Sequence, residues 1–475
     1  MISLDRESCY QAVLSHDRRF DGSFFVAVKS TGVYCRTVCT ARTPSLKNCS
    51  FYLNAATAES EGFRPCLRCR PELAPGSAPL DAQSRCAELI ADLLEAGALN
   101  EMSVAQLAAF LNLSEWQLRR LVEKYFSVSP VELAITQRLL LAKRLLKDSD
   151  LSITEVAYAS GFNSLRRFNS LLKERYGMSP ARLRARRNLL SSPDKIRCRL
   201  YFRPPYDFVA LLSFLGKRSA GGVEIAESGC YARTVSYSNY SGCIMLSPAE
   251  DEFALELTVD ASLSRVLMPI IAKVKRLFDL NASPELINRK LKDLSAPFPG
   301  LRLPGAFDTF ETAVRAILGQ EITVKAATTL VTRFAEKFGQ KIETSVPGLN
   351  ILFPTVKDAA LLSVSDFKGL GIRESRARTI ICLAGAIAGG AISLEQAIDP
   401  YESMSRLQEI SGIGPWTAQY IAMRCYHFPD AFPEGDLGIA RALSPLSWNQ
   451  IIELSESWRP WRAYAAMHLW KKLEN

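Results

Sequence analysis

Apolar positions follow two different rhythms along the chain. From 82 to 187, Leu and Ala recur every three or four residues among many Arg, the period of amphipathic helices. Residues 103–126 break at a polar turn into helix, turn, helix; 153–176 repeats the arrangement, and a long helix over 130–147 joins the two. Beyond residue 195 the rhythm changes. Phe253, Leu255, Leu257 and Val259 alternate with other residues, as in a strand with one buried face. Segments 231–237 and 243–246 match it as neighbours, which predicts a small antiparallel sheet. Segment 264–280 has helical period, and from 307 onward helices separated by Gly and Pro prevail. The most apolar run, 383–394, is glycine-rich and too short to cross a bilayer, so it is expected to be a packed helix.

Two seams interrupt this pattern: 74–79, which reads Ala-Pro-Gly-Ser-Ala-Pro, and 188–194, which contains Ser191-Ser192-Pro193. A chain of 475 residues exceeds one ordinary core and implies about three or four domains. The expected fold is multidomain and mainly α, in four parts. These are a small α+β domain over 1–74 (the zinc domain of the cysteine cluster Cys35, Cys39, Cys66 and Cys69), an all-α tandem helix-turn-helix over 81–187, an α+β sheet domain over 196–284, and an all-α domain over 285–475 that holds the helix-hairpin-helix glycines Gly412 and Gly414.

Composition changes this picture little. Lys and Arg exceed Asp and Glu by 58 to 49, a mild bias toward a polyanionic partner. Residues 1–19 carry acidic residues and lack an apolar segment, so no signal peptide and no membrane association are expected, and the location implied is the cytoplasm. Twelve cysteines in a reducing compartment point to metal or chemistry rather than disulfides. Four of them cluster: Cys35-Arg-Thr-Val-Cys39 and Cys66-Leu-Arg-Cys69 are two thiol pairs separated by a loop long enough to fold back. Such a set suits one tetrahedral zinc that ties together a domain too small for a full core. On spacing alone, a purely structural site is the favoured reading.

The surrounding residues, Thr31-Gly-Val-Tyr-Cys35-Arg36, Ala41-Arg42 and Gly62-Phe-Arg64-Pro-Cys66-Leu-Arg-Cys69, closely resemble the N-terminal domain of the Ada family of methylation-responsive regulators. The resemblance implies that Cys35 accepts a methyl group from a methylated DNA phosphate, with Cys35, Cys39, Cys66 and Cys69 as zinc ligands. It also implies that Thr31, Arg42 and Arg64 contact the DNA backbone. A zinc-held thiolate is a ready nucleophile at neutral pH. Methylation removes one negative charge from the site, which should raise affinity for DNA phosphates.

In the helical double module, Gly161-Phe162 at the second turn and Tyr176-Gly-Met-Ser-Pro180 after it resemble the AraC family of transcription regulators over about 82–187. Recognition helices enter the major groove by their N-terminal residues. The candidates are Gln117, Arg119 and Arg120 in the first half and Ser164, Arg166 and Arg167 in the second. For any one arginine, phosphate contact is the commoner role. Arg182, Arg184, Arg186 and Arg187 form a basic run that follows.

Residues 407–418 contain Gly412-Ile-Gly414-Pro-Trp416, a helix-hairpin-helix pattern in which two glycines let the backbone approach a phosphate and a helix N-terminus supplies donors. Asp436 follows about twenty residues later, in Glu434-Gly-Asp436-Leu-Gly. The pair resembles the helix-hairpin-helix DNA glycosylase superfamily, and 197–471 as a whole looks like the AlkA type, with matching stretches at 203–207, 231–234, 299–305, 316–320 and 461–464. The resemblance implies excision of alkylated purines from double-stranded DNA. Asp436 would stabilise the sugar cation, Trp416, Tyr420, Trp470 and Gln320 would line the base pocket, and Gly412 and Gly414 would grip the backbone. For Trp470, a plain core role stays open. Trp416 occupies the place of the Schiff-base lysine of bifunctional relatives, which implies hydrolysis without backbone cleavage. No cysteine follows Cys425, so no iron–sulfur cluster is expected. Backbone carbonyls of Gln408, Ile410 and Ile413 are candidates for a monovalent cation. The family's duplex-inserting leucine matches Glu321, a poor wedge, so Gln320 or another residue would fill the gap left by a flipped base.

Three functional readings follow. The leading one is a fused sensor, regulator and repair enzyme, acting as a monomer on damaged and promoter DNA, with RNA polymerase as a candidate partner, in a bacterial cytoplasm. The others are a transcription factor whose glycosylase half only grips DNA, and a glycosylase with an inert zinc module. The Pro-Cys-His-Arg motif of O6-alkylguanine transferases is absent from the chain.

Overall fold

A computed structural model of the chain describes residues 6–17, 20–21, 24–52, 55–69, 71, 82–149, 151–184, 194–250, 253–395 and 397–474. The seam at 74–79, most of that at 188–194, and Arg186 and Arg187 of the basic run lie outside the described residues. The chain divides into two compact units, Met1–Ile90 with Lys124–Phe126, and Ala91–Glu123 with Ser127–Asn475.

The first unit is built on a four-stranded sheet of β1 (Phe25–Val28), β2 (Val33–Cys35), β3 (Cys49–Tyr52) and β4 (Arg64–Pro65), in the order β3-β1-β2-β4. The β1 strand pairs antiparallel with β2 and β3, whereas β2 and β4 run parallel, with Tyr34 opposite Pro65. Its core is small. Cys9, Ala12 and Val13 of the Arg6–Leu14 helix pack on Phe24, Val26, Cys49 and the four clustered cysteines. So few apolar side chains leave this core dependent on what joins those thiols.

The second unit carries the predicted helical pairs, apart from Lys124–Phe126. Val104–Phe110 and Glu115–Phe126 form the first, Pro130–Asp148 is the connecting helix, and Ile153–Ala159 with Leu165–Tyr176 forms the second. Ser103, Ser114, Ser129 and Ser152 each begin a helix with a reciprocal capping box, which satisfies backbone donors that a short helix would otherwise leave open.

The sheet that follows has five antiparallel strands in the order β5-β9-β8-β7-β6: β5 (Lys195–Tyr201), β6 (Glu224–Glu227), β7 (Cys230–Tyr237), β8 (Tyr240–Pro248) and β9 (Ala254–Asp260). The alternation read in β9 holds for Leu255, Leu257 and Val259, which are buried, but Phe253 lies before the strand and is 63 % exposed. The β5 strand was not anticipated, although Ile196, Cys198 and Leu200 alternate with exposed or half-exposed neighbours. The segment read as one helix over 264–280 is a 3-10 turn, Ala261–Val266, followed by the helix Leu267–Leu277. The apolar run 383–394 is only half helix, because Glu374–Ala388 ends at Gly389 and Gly390 turns the chain with φ +74°.

The helical double module is not a bead on a string within this unit. Its buried residues from Ile135 to Leu172 belong to the same continuous core as the sheet and the C-terminal helices. The Ile153–Ala159 helix packs on the Ala261–Val266 turn, and Pro130–Asp148 packs along β5. Polar contacts reinforce the joint: Lys275 Nζ donates to Glu95 Oε1 at 2.5 Å, and Arg265 lies 5.0 Å from the Tyr158 ring centre.

Candidate active site and metal centre

Asp436 caps the helix Leu437–Ala442, its Oδ1 accepting from Ile439 N at 2.9 Å. Trp470 Nε1 donates to the same oxygen at 2.9 Å, and Trp416 Nε1 donates to Oδ2 at 3.0 Å. Two indoles from separate helices, Pro415–Arg424 and Arg462–Lys472, therefore fix the carboxylate in place. Gly438 makes room for this: a Cβ there would stand 3.0 Å from both Asp436 Oδ1 and Trp470 Cδ1. Trp470 is thus half-buried with its indole N–H on the carboxylate.

Asp436 borders a cavity of about 440 Å³, lined also by Trp416, Tyr420 and Trp470. Trp416 and Tyr420 are stacked, with ring centres 5.3 Å apart and planes 10° from parallel; Tyr420 and Trp470 lie 6.4 Å apart. Such ring faces suit a flat purine, and a cationic one most. The charged wall of this cavity was not singled out in the sequence. Arg424 Nη1 donates to Tyr420 Oη at 2.9 Å while its Nη2 holds Gly305 O at 3.0 Å. Arg218 stacks 3.7 Å from the Phe214 ring centre and also acts on the Tyr420 hydroxyl. Burial alone would raise the Tyr420 phenol, but the Arg424 and Arg218 guanidiniums outweigh it and bring it below the usual tyrosine range. Deeper, Arg233 pairs with Glu311 at 2.7 Å and Arg315 with Glu224 at 2.8 Å, a closed buried network joining the sheet to the Thr309–Leu318 helix. Arg233 lies in the 231–234 stretch already noted, but nothing local in the sequence shows which cavity it faces.

At the rim, Gln320 Nε2 donates to Gly412 O and Thr417 Oγ1, both at 2.8 Å, and Arg376 donates to the Gln320 carbonyl. These bonds tie the turn after Thr309–Leu318 to the hairpin. Gln320 thus contacts the hairpin and is not among the residues lining the cavity. Glu321 is exposed on that turn with φ +56°, in the electrostatic reach of Arg376. Gly412 has φ +92°, and a Cβ would overlap Thr379 Oγ1 at 2.1 Å, so no other residue fits there. Gly414 caps the Pro415–Arg424 helix, exposed and with open space beside it. Leu437, next to Asp436, is 73 % exposed, an apolar side chain at the site that sequence reading passed over.

In the first unit, Cys35 ends β2 and Cys66 follows β4, so the parallel pairing of those strands brings the two thiol pairs together. The four Sγ atoms of Cys35, Cys39, Cys66 and Cys69 lie within 4.8 Å of one another, all on buried residues. A tetrahedral zinc with bonds of about 2.3 Å needs sulfurs about 3.8 Å apart, so the cluster fits that ion. Hydrogen bonding to Cys39 and Cys69, reinforced by burial, pushes the Cys35 thiol far up when no cation shares the site. The backbone N–H of Arg36 donates to Cys69 Sγ at 3.4 Å, and the buried Arg36 guanidinium pairs with Asp21. Thr31, Arg42 and Arg64 are exposed.

In the helical module, the Gln117 side chain accepts from Ser114 N at 2.8 Å within a capping box, and Arg119 pairs with Glu115 at 2.6 Å. Arg120 lies 5.0 Å from the ring centre of Trp116, itself 64 % exposed. Ser164 caps Leu165–Tyr176 by accepting from Arg167 N at 3.3 Å, and Arg166 and Arg167 are exposed at the start of that helix.

Among the described residues, no helix is long and apolar enough to cross a membrane.

A hairpin closed by Gly412 and a carboxylate held by two indoles define a helix-hairpin-helix protein of the base-excision class. Residues 314–458 match the family model described as HhH-GPD superfamily base excision DNA repair protein. Residues 197–308 match the AlkA N-terminal domain, 8–72 the metal binding domain of Ada, and 107–186 a helix-turn-helix domain. A Mycobacterium tuberculosis relative, named "Probable bifunctional transcriptional activator/DNA repair enzyme AlkA", is 37 % identical over 99 % of this chain and 97 % of its own length. The chain belongs to this family, in which an Ada-type metal-binding domain and a helix-turn-helix module are fused to an AlkA-type glycosylase. DNA-3-methyladenine glycosylase 2 of Escherichia coli is 37 % identical over 57 % of this chain and 95 % of its own length. The Ada protein of E. coli, named "Bifunctional transcriptional activator/DNA repair enzyme Ada", is 51 % identical over 65 residues, 14 % of this chain and 18 % of that protein.

Proposed function

We propose that this protein removes alkylated purines of the 3-methyladenine and 7-methylguanine type from double-stranded DNA, and that its first unit takes a methyl group from DNA methylphosphotriesters onto Cys35. The observation that carries the first part is the Asp436 carboxylate, held by the Trp416 and Trp470 indoles at the mouth of an aromatic cavity. A flipped nucleotide would place its base against Trp416 and Tyr420 and its sugar near Asp436. As the glycosidic bond breaks, Asp436 stabilises the positive charge that develops on the sugar and takes a proton from the attacking water. With Trp416 where a Schiff-base lysine would stand, the reaction is monofunctional hydrolysis. Gly412 and Gly414 bring the hairpin backbone to a phosphate, and the carbonyls of Gln408, Ile410 and Ile413 are the candidate cation ligands there. Gln320 and Glu321 lie at the duplex surface, where Leu437 offers the apolar face that Glu321 lacks.

At the cysteine cluster, bound zinc supplies the charge that keeps the thiols deprotonated. The Cys35 sulfur attacks the methyl carbon, a C–S bond forms, and the phosphate oxygen leaves with the electron pair of the broken C–O bond. Thr31, Arg42 and Arg64 would hold the DNA backbone. In the helical module, Arg166 and Arg167 are free of capping duty at their side chains and would reach the groove beside Ser164, while Gln117, Arg119 and Arg120 would serve the first half. The four-part division at 74–81, 187–196 and 284–285 belongs to this reading. So do a monomer acting in a bacterial cytoplasm and transcriptional control through RNA polymerase.

Two assays test it. Wild-type protein should release alkylated purines from methylated duplex DNA without nicking the backbone; release of none refutes the enzyme. Labelled methyl from methylphosphotriester DNA should appear on wild type and vanish in Cys35→Ala; equal labelling of both refutes the acceptor.

A further inference from the structure

The helix Leu267–Leu277 lies between two parts of the second unit. On one side it meets the helical module. Near its start, Asn100 Nδ2 donates to Met268 Sδ at 3.4 Å, and Gly97 comes so close that a Cβ there would stand 3.2 Å from Met268 Cβ. In its last turn, Lys275 Nζ pairs with Glu95 Oε1 at 2.5 Å, and the lysine side chain is only 16 % exposed. These two contacts are separated by about 10 Å of helix, so the module holds the element at both ends.

On its other side the same helix grips the one that follows the hairpin. Arg276, next to Lys275, donates to the carbonyl of Cys425, the C-cap of Pro415–Arg424, and at 3.3 Å to the carbonyl of Glu395. A guanidinium placed there also meets the negative end of the helix dipole. The grip is returned by Arg424, whose Nη2 donates to Gly305 O at 3.0 Å, while Gly305 N donates to Leu277 O at 3.2 Å. Pro415–Arg424 starts at the hairpin and carries Trp416, which holds Asp436, and Tyr420. A packed helix shifts as a unit, so the anchoring of its far end sets where both rings stand. Leu277, Gly305, Tyr420 and Arg424 line the cavity; Arg276, Lys275 and Glu95 are not among its lining residues.

We propose that the helix-turn-helix module braces the excision site through Leu267–Leu277, with Arg276 as the positioning residue at the far end of that brace. The inference rests on the excision reading above. Arg276 touches neither base nor sugar. It acts through Cys425 on the helix that carries Trp416, and Glu95 acts through Lys275 on the turn that carries Arg276. A misplacement of about 1 Å in a group that orients the reaction can cost about 100-fold in rate, so a modest loosening of this chain is measurable.

The test is single-turnover release of 7-methylguanine from a single-lesion duplex by the full chain, beside binding to a duplex with an abasic-site analogue. Release by wild type checks the excision reading by itself, and its absence would overturn both readings. Arg276→Met should slow release about tenfold with binding kept within about twofold, because the hairpin and its phosphate contacts remain. Arg276→Lys keeps a cation at the helix end and should recover most of that loss. Glu95→Gln, in the module, should slow release about threefold. The double variant should be no slower than Arg276→Met alone, since Glu95 works only through the turn that carries Arg276. With wild type active, three results overturn the brace: release by Arg276→Met within about twofold of wild type, binding that falls in step with release, or a double variant slowed by the product of the single effects. Binding that falls in step would mean that Arg276 only supports the fold.

Discussion

Replacing Asp436 by Asn keeps the shape of the side chain and removes its charge. In the native site both oxygens accept: Oδ1 from Trp470 Nε1 and Ile439 N, Oδ2 from Trp416 Nε1. The amide oxygen of Asn can keep one side of this arrangement, but its NH2 group must then face an indole N–H. One donor is left unpaired, at a cost of about 1–3 kcal/mol. The chemical effect is larger. A carboxylate about 4 Å from the sugar cation is worth about 4 kcal/mol at an effective dielectric of ~20. Every 1.36 kcal/mol changes the rate about tenfold, so the chemical step should slow by roughly a thousandfold. The assay is single-turnover release of 7-methylguanine from a methylated duplex, with enzyme in excess so that product release does not mask the step. Binding to a duplex carrying an abasic-site analogue and the thermal midpoint provide controls for folding. A variant that folds, binds and still releases base within tenfold of wild type would refute the role given to Asp436.

Three further outcomes are expected. Burial holds His468 at a pKa of about 4, below its ordinary 6.5, and among the described residues its Nδ1 has no partner. It is neutral in the fold and gains a proton on unfolding, so its contribution is fully present above pH 6.5 and is lost as pH falls toward 4. The loss amounts to about 3 kcal/mol, and His468→Gln should flatten the fall of the thermal midpoint between those pH values; an unchanged slope would be contrary evidence. Stripping zinc with a chelator should melt the first unit, whose core includes the four ligand cysteines, yet leave base release intact, because the second unit has its own core. Circular dichroism and the release assay on one sample distinguish this from general unfolding. In the proposed function the exposed Glu321 lies against DNA phosphates; Glu321→Leu then removes a repulsion worth about 0.7 kcal/mol at ~6 Å in water, so binding to the abasic duplex should tighten roughly threefold at low salt. Weaker binding by fluorescence anisotropy would show that the carboxylate makes a favourable contact with the DNA.

Much of this protein is written in local patterns, and local patterns were legible. The spacing of the four cysteines, the pair Gly412 and Gly414 with the Asp that follows them, and each helix-turn-helix repeat are contained in single stretches of a few dozen residues. Each depends on chemistry that acts over short stretches of chain: ligand geometry, φ angles open only to glycine, or helical period. Capping was equally local, since every box in the helical module is a Ser three residues ahead of a Gln or Glu. It also explains why Gln117, which has the position of a base reader, has its side chain engaged at its own helix start.

Tertiary structure decided what depends on residues far apart in the chain. Asp436 is held by Trp470, 34 positions away, and Tyr420 faces Arg218, which comes from the sheet domain some two hundred residues earlier. A buried charge is tolerated only where its partners converge, and the pairing of Arg233 with Glu311 across 78 positions has no signal in either segment alone. Packing of the helical module on β5 and the Ala261–Val266 turn likewise follows from which apolar faces meet, and any apolar stripe looks equally ready to bury itself. The sequence by itself thus determined the kinds of chemistry present and the elements that carry them. Only the folded chain decided that the carboxylate would be clamped by two indoles, and that two guanidiniums would converge on the hydroxyl of the tyrosine beside it, because both need side chains to meet in space.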